Sequence, residues 1–342
     1  MRLSVIRSSR STVLLSLALA GVASAQNVRP TDPSSSELQK DYFFQELADG
    51  SILAADALGT YFFDDFSGYV VSSFFQDHGL RCGSERLPQF YALGTSADCN
   101  SSNTTIKTEY NASGGATYTI PVWVHEIRRK TGTLGTLVAG QITSQITALN
   151  VAFASHGIQF TLAGTTLSKN NTWYNDGGTY YNTLAKDVHN NLNIYTNTAS
   201  GNLGYAYVPS GGGVVGNKWD RVVIYWKAMG NPGTYGAPYN EGDTTVHEVG
   251  HYLGLYHTFQ GGCASAASCS NNGDLICDTN PEGSPNFSPC TRNSACGAWL
   301  DPTTNFMDYS DDNCMFQFST NQQNRMRCTI ANIRTRIPTS VP

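Results

Sequence analysis

From His247 to His257 the chain reads His-Glu-Val-Gly-His-Tyr-Leu-Gly-Leu-Tyr-His. Two histidines four residues apart stand one turn apart on the same face of a helix, so both imidazoles can reach one metal ion. Gly254 is where that helix must stop. Without a Cβ it takes a positive φ and turns the chain so that His257 returns as a third ligand. Three imidazoles with an open fourth position suit Zn²⁺, which lowers the pKa of a bound water toward neutrality and polarises a carbonyl. Glu248 falls beside the metal and is the candidate general base. The pattern predicts a helix over 244–255, capped by Asp243 or Thr244 and carrying one catalytic zinc on His247, His251 and His257.

Export is the second expectation. Arg2, Arg7 and Arg10 precede an apolar run from Val13 to Val22, and Ala23-Ser24-Ala25 has the small-x-small pattern of a cleavage site, so residues 1–25 read as a signal peptide. The apolar run is too short for a bilayer that requires about 20 residues, and no lipid-anchor tail is present, so no membrane anchor is expected. Only 14% of the 342 residues are charged, against roughly 25% in ordinary globular chains. With 21 Lys+Arg against 26 Asp+Glu and no basic run, the chain lacks the electrostatic footprint of a nucleic-acid binder. A secreted, extracellular protein fits this composition. In that compartment the nine cysteines become disulfide candidates. Asn100, Asn103, Asn111, Asn170 and Asn286 all stand in N-x-[ST] sequons and are the candidate glycosylation sites.

Residues 26–98 hold short aromatic pieces (Tyr42-Phe43-Phe44, Tyr61-Phe62-Phe63, Phe74-Phe75) without a sustained period and read as a pro-region. A Ser/Asn/Thr run from Ser96 to Thr105 marks the boundary, after which 99–342 form one catalytic domain. There the pattern is α/β. Strands are expected at 117–127, 158–167, 192–195, 204–208 and 221–226. A helix over 137–154 would bury Leu137, Val138, Ile142, Ile146, Leu149 and Phe153; a short one lies at 180–190 and a last one at 320–334. The Gly-, Pro-, Asn- and Cys-rich stretch 258–303 is a long loop that disulfides should staple. Gly211-Gly212-Gly213 lacks the residues of a phosphate loop. His78, His125, His156 and His189 stand without ligand spacing, and Asp311-Asp312 reads as a solvated turn.

The extended histidine pattern, together with Asn305-Phe306-Met307-Asp308-Tyr309-Ser310-Asp311-Asp312, resembles the pappalysin group of metzincin metallopeptidases, in particular its short secreted, cytophagalysin- or ulilysin-like members. Leu203-Gly204-Tyr205-Ala206 and Asp278-Thr279-x-Pro281-Glu282 add to the likeness, which spans roughly 117–327. The resemblance implies a twisted, mostly parallel sheet with an active-site helix and a long backing helix, above a loop-rich, disulfide-bonded lower subdomain. It implies a monomeric zinc endopeptidase acting on protein or peptide substrates, in which Met307 floors the zinc site, Tyr309 stabilises the oxyanion, and the strand at Gly204 receives substrate as an added antiparallel strand. It also implies a calcium ion on Asp274, Asp278, Thr279 and Glu282, although one residue is inserted in this chain's Asp-Thr-Asn-Pro. By the same likeness Cys263 pairs with Cys290 and Cys296 with Cys314; Cys269–Cys277 and Cys99–Cys328 would use the other downstream thiols. Arg81-Cys82-Gly83 then reads as a zymogen switch whose thiolate blocks the metal, the alternative being a Cys82–Cys99 disulfide.

Two other functions remain open on residues alone. A non-catalytic, zinc-stabilised secreted binding module would have no use for Glu248. Hydrolysis of a non-peptide bond is compatible with the same metal chemistry, and only the family resemblance argues against it.

Overall fold

The computed structural model describes residues 41–84, 110, 116–209, 214–231, 236–263, 269, 273–287 and 290–340. The signal-peptide reading and the sequons at Asn100, Asn103 and Asn111 lie outside the described residues.

The central sheet is built as the β-branched, alternating segments require. Strands β4 (Thr117–Arg128), β5 (Ile158–Lys169), β6 (Leu192–Asn197), β7 (Gly204–Ala206) and β8 (Val222–Tyr225) lie in the order β5-β4-β6-β8-β7, and β9 (Thr339–Ser340) pairs with the start of β4. The β4/β5, β4/β6 and β6/β8 pairs are parallel, whereas β7 and β9 are antiparallel to their neighbours. All six residues of β6 and all four of β8 are buried, as parallel strands covered on both faces should be. The mixed α/β architecture with a mostly parallel sheet is therefore present.

The backing helix (α3, Gln141–Phe153) differs from its expected face. Gln141, Gln145, Leu149 and Phe153 are buried, Ile142 and Ile146 are only partly so, and Val138 is exposed. The two glutamines are inside because backbone groups there need partners. Gln141 donates to Met229 O at 2.6 Å, Gln145 donates to Gly242 O at 3.0 Å, and Gln145 accepts from Gly230 N–H at 2.7 Å. They fix the chain that leads into the active-site helix (α6, Asp243–Tyr252). The two short helices between β5 and β6 are α4 (Asn171–Tyr174) and α5 (Tyr180–Leu184), and the last helix is α7 (Thr320–Asn332), started by a Ser319–Gln322 capping box.

The upstream region is more structured than its aperiodic sequence suggests. Strands β1 (Phe43–Glu46), β2 (Ile52–Ala55) and β3 (Thr60–Phe63) make an antiparallel sheet, followed by α1 (Phe66–Val70) and α2 (Ser73–Asp77). Strands of four residues are too short for alternation to be read, and its aromatic side chains do not form a core of their own. Tyr42, Phe66, Tyr69, Phe74, Phe75 and Leu80 share one apolar core with the central sheet.

The lower loops are stapled by Cys263–Cys296, Cys269–Cys277 and Cys290–Cys314. The expected Cys263–Cys290 and Cys296–Cys314 pairs are thus exchanged, and Cys269–Cys277 is as expected. The reason is tertiary. Asn286 N–H donates to Asp308 Oδ1 at 3.2 Å, which lays this limb along the Met307 turn and brings Cys290 to Cys314. Cys296 is left to Cys263, and Gly283 packs against that bridge. Cys328 is disulfide-bonded; Cys99, its expected partner, lies outside the described residues. Cys82 is a free thiol, so the Cys82–Cys99 alternative does not form.

Candidate active site

Helix α6 begins with Gly242 at the cap position and no side-chain cap of its own. The Asp312 carboxylate supplies one from 70 residues away, accepting from the backbone N–H of Glu241 at 2.9 Å and from that of Asp243. The helix stops at Tyr252. Gly254 has φ +97°, and a Cβ there would stand 2.6 Å from Thr329 Oγ1, so both the turn and the contact with α7 require glycine.

The turn returns His257 to the other two histidines. His251 Nε2 and His257 Nε2 are 3.0 Å apart, and His257 Nε2 and His247 Nε2 are 3.2 Å apart. Tetrahedral Zn–N bonds of about 2.05 Å would put ligand nitrogens roughly 3.3 Å apart. The opposite ring nitrogens are already committed: Nδ1–H of His247 donates to Phe306 O at 2.7 Å and that of His251 to Leu255 O at 2.8 Å. The Nε2 atoms of His247 and His251 are therefore left as acceptors, with their lone pairs facing the cluster. Burial, then the adjacent imidazoles, hold His247 and His251 well below the usual histidine range. Three buried imidazoles converging at this spacing fit a zinc ion.

Met307 lies beneath them, fully buried. A Cβ on Gly250 would stand 2.4 Å from its sulfur, so the helix backbone rests on this side chain. Asn305 shapes the turn through Met307 N–H to its Oδ1 at 2.9 Å, and a paired amide contact with Gln322 fixes Asn305 in turn. Glu248 is buried beside the histidines with β7 across it, Gly204 lying directly against its side chain. Burial pushes its carboxyl up to about 8. Its Oε1 has no partner, and its Oε2 accepts from Ser84 Oγ at 3.3 Å and the Cys82 thiol at 3.5 Å.

Cys82 is the fourth member of the cluster. With His247, His251 and His257 it forms the one group among the described residues able to hold a metal, the four ligand atoms all within 4.8 Å of one another. The Tyr309 hydroxyl donates to the Cys82 carbonyl at 3.1 Å, and its ring packs against those of His257 and Phe259. Leu203 N–H donates to Leu80 O at 2.9 Å, and Gly83 N–H to Gly204 O at 2.9 Å. Residues 80–83 therefore lie along the β7 edge, ascending in the same direction as β7.

Arg81 belongs to the site, and sequence reasoning missed it. Its guanidinium is fully buried, pairs with Asp312 at 3.0 Å, donates to Thr244 Oγ1 and lies 4.6 Å from the Tyr239 ring centre. Asp312 is 1% exposed, so Asp311-Asp312 is no solvated turn. The signal was an arginine directly before the lone cysteine and an acidic pair just past the methionine turn.

Of the four expected calcium ligands, Asp274 and Thr279 meet each other, and Asp278 and Glu282 are engaged with other protein partners. Asp274 accepts from Thr279 Oγ1 at 2.7 Å and from Ile276 N–H at 3.0 Å. Asp278 accepts from Ser319 Oγ at 2.6 Å and Asn321 N–H at 2.9 Å at the start of α7. Glu282 accepts from Thr258 Oγ1 at 2.6 Å, and burial followed by Asp308 pushes it up to about 9. Asn286 is buried, its amide donating to Thr291 O at 2.5 Å; Asn170 is half-buried and caps α4.

The family model of the pregnancy-associated plasma protein-A peptidases matches residues 169–331. An extracellular metalloprotease of Verticillium alfalfae is 36% identical over 80% of this chain and 94% of its own length; one of Sordaria macrospora is 38% identical over 64% and 78%. The chain belongs to the pappalysin family. The solved structure of mature Tannerella forsythia mirolysin with a cleaved peptide superposes at a TM-score of 0.51, with 28% identity over 64% of this chain and 95% of that one. A promirolysin mutant gives 0.51 and 27% over 67% and 86%. The pappalysin described here is a zinc metalloendopeptidase. No helix among its described residues is long and apolar enough to cross a membrane.

Proposed function

We propose that the protein is a secreted endopeptidase made as a latent precursor, with residues 26–98 as its pro-region and extracellular proteins as substrates. One observation supports this above the rest: a stretch of its own backbone occupies the cleft, with the Cys82 thiol at the histidines and the Cys82 carbonyl on the Tyr309 hydroxyl. The signal-peptide pattern and the relatives named extracellular support secretion.

Zinc on His247, His251 and His257 would acidify a water and polarise the scissile carbonyl. Glu248 takes the proton from the attacking water and passes it to the leaving amine, a task suited to a carboxyl whose basicity burial has raised. Tyr309, which already donates to a peptide carbonyl, does the same for the charge that develops on the substrate oxygen. Substrate pairs with β7 in the antiparallel sense. The segment around Cys82 runs the other way, so its peptide bonds are presented backwards. The pocket that holds Arg81, built from Asp312, Thr244 and Tyr239, suits an arginine or lysine side chain of the substrate.

Casein and a peptide library, offered to protein lacking residues 26–98, test the reading. Wild type should cut, with basic residues enriched beside the scissile bond, while chelated protein should not. Zinc uptake without any cleavage would instead favour the binding-module alternative.

A further inference from the structure

The N-terminal unit grips the rest of the chain at a second place, 36 residues before Cys82 in sequence. Glu46 ends β1 and is 1% exposed. Its Oε1 lies 2.7 Å from Lys227 Nζ. Its Oε2 accepts from the Tyr174 hydroxyl and, at 3.2 Å, from the Trp226 indole N–H, which is also 3.1 Å from the Tyr174 oxygen. Tyr174 closes α4, whereas Trp226 and Lys227 follow β8 directly. All three are buried, and none touches the zinc ligands in the contacts described above.

Covering an apolar surface does not call for a carboxylate. Removing an acid and an ammonium from water costs solvation that only a close pair with further donors repays, and apolar side chains of similar size would pack there more cheaply. Here the further donors are present, and they come from two separate elements of the catalytic part. The neighbourhood is shaped for one strand: Phe44, two residues earlier and so on the same face as Glu46, packs against Tyr225 and Gly201. Phe66 lies over Tyr225 at 4.8 Å.

We propose that Lys227, Tyr174 and Trp226 form a carboxylate-binding site, separate from the zinc cleft, whose ligand is the Glu46 side chain and which keeps the N-terminal unit bound after the chain is cut between residues 98 and 99. This rests on the latent-precursor reading and adds to it: cutting the connection does not release the protease, which becomes free when this site is emptied.

The test uses the full chain with an endoprotease recognition sequence inserted between residues 98 and 99. After complete cutting, native mass spectrometry and gel filtration follow whether the fragment stays with the remainder. Wild type should remain a complex. Glu46→Ala should dissociate about tenfold or more readily, and Glu46→Gln, which keeps the shape, should move in the same direction. Propionate should restore retention to Glu46→Ala by filling the vacated position, and neutral propionamide should not. Lys227→Met should dissociate with or without propionate. Equal retention of wild type and both Glu46 variants overturns the proposal, as does rescue by propionamide to the level of propionate. Because retention is read without a peptidase assay, a chain that is already active before cutting would sink the latency reading and leave this result to be judged separately.

Discussion

The Sγ of Cys82 stands 3.5 Å from Nε2 of His251 and 3.5 Å from Oε2 of Glu248, between a metal-binding histidine and the candidate base. Burial, then Glu248 beside it, push the thiol pKa up; a cation on the three histidines would reverse that and draw the thiolate onto itself. Cys82→Ser in the uncut chain is therefore expected to raise peptide hydrolysis about tenfold or more over wild type, since a hydroxyl is a far weaker zinc ligand. Wild-type silence in the serine variant, with zinc bound, would mean that the N-terminal unit acts by cover alone.

Glu248 touches no histidine through a hydrogen bond, so removing its carboxyl leaves the ligand set intact. Glu248→Ala should bind one zinc per chain, melt near the wild-type temperature and lose on the order of 10²–10⁴ in kcat, the span of general-base effects. Zinc content by emission spectroscopy and turnover of a peptide substrate decide it; activity within tenfold of wild type removes Glu248 from the role of base.

The exchanged disulfides make a direct chemical forecast. Non-reducing peptide mapping should recover Cys263 with Cys296 and Cys290 with Cys314. Cys290→Ser with Cys314→Ser should cost about 2–4 kcal/mol and weaken the limb that the Asn286–Asp308 contact lays along the methionine turn. Recovery of a Cys263–Cys290 peptide contradicts the fold of this loop.

His125 gives a pH dependence whose sign can be worked out. It is buried in β4 between Trp123 and Tyr195, with Nδ1 on the Thr166 hydroxyl at 2.8 Å and Nε2 on Asn193 Oδ1 at 2.9 Å. Burial lowers it from 6.5 to about 4. Between those values the unfolded chain binds the proton and the folded chain does not, so stability falls as pH drops through the window, by about 3 kcal/mol at 1.36 kcal/mol per unit. Asp274, raised to about 7, acts in the opposite sense, so the comparison is with His125→Gln rather than with a flat line. From pH 4 to 7 the wild-type urea midpoint should gain on that of the variant; a gap that stays constant would show an ordinary histidine.

Much of the site could be read along the chain because its geometry is local. The spacing of His247, Glu248 and His251 is one helical turn, and Gly254 dictates its own backbone, so these residues were determined by the sequence alone. So were most strands, whose β-branched alternation is a property of neighbouring residues. The buried face of α3 was not, because Gln141 and Gln145 are inside only to satisfy the backbone of Met229, Gly230 and Gly242, which lie some 85 residues or more away. Disulfide partners, the cap that Asp312 gives α6, and the pockets that take Arg81 and Glu46 depend on which segments the fold lays side by side. Spacing along a chain encodes torsion angles and periodicity. It does not encode the pairing of a thiol, a carboxylate or a guanidinium with a group brought from another element, where the gain comes from sharing one buried position away from water.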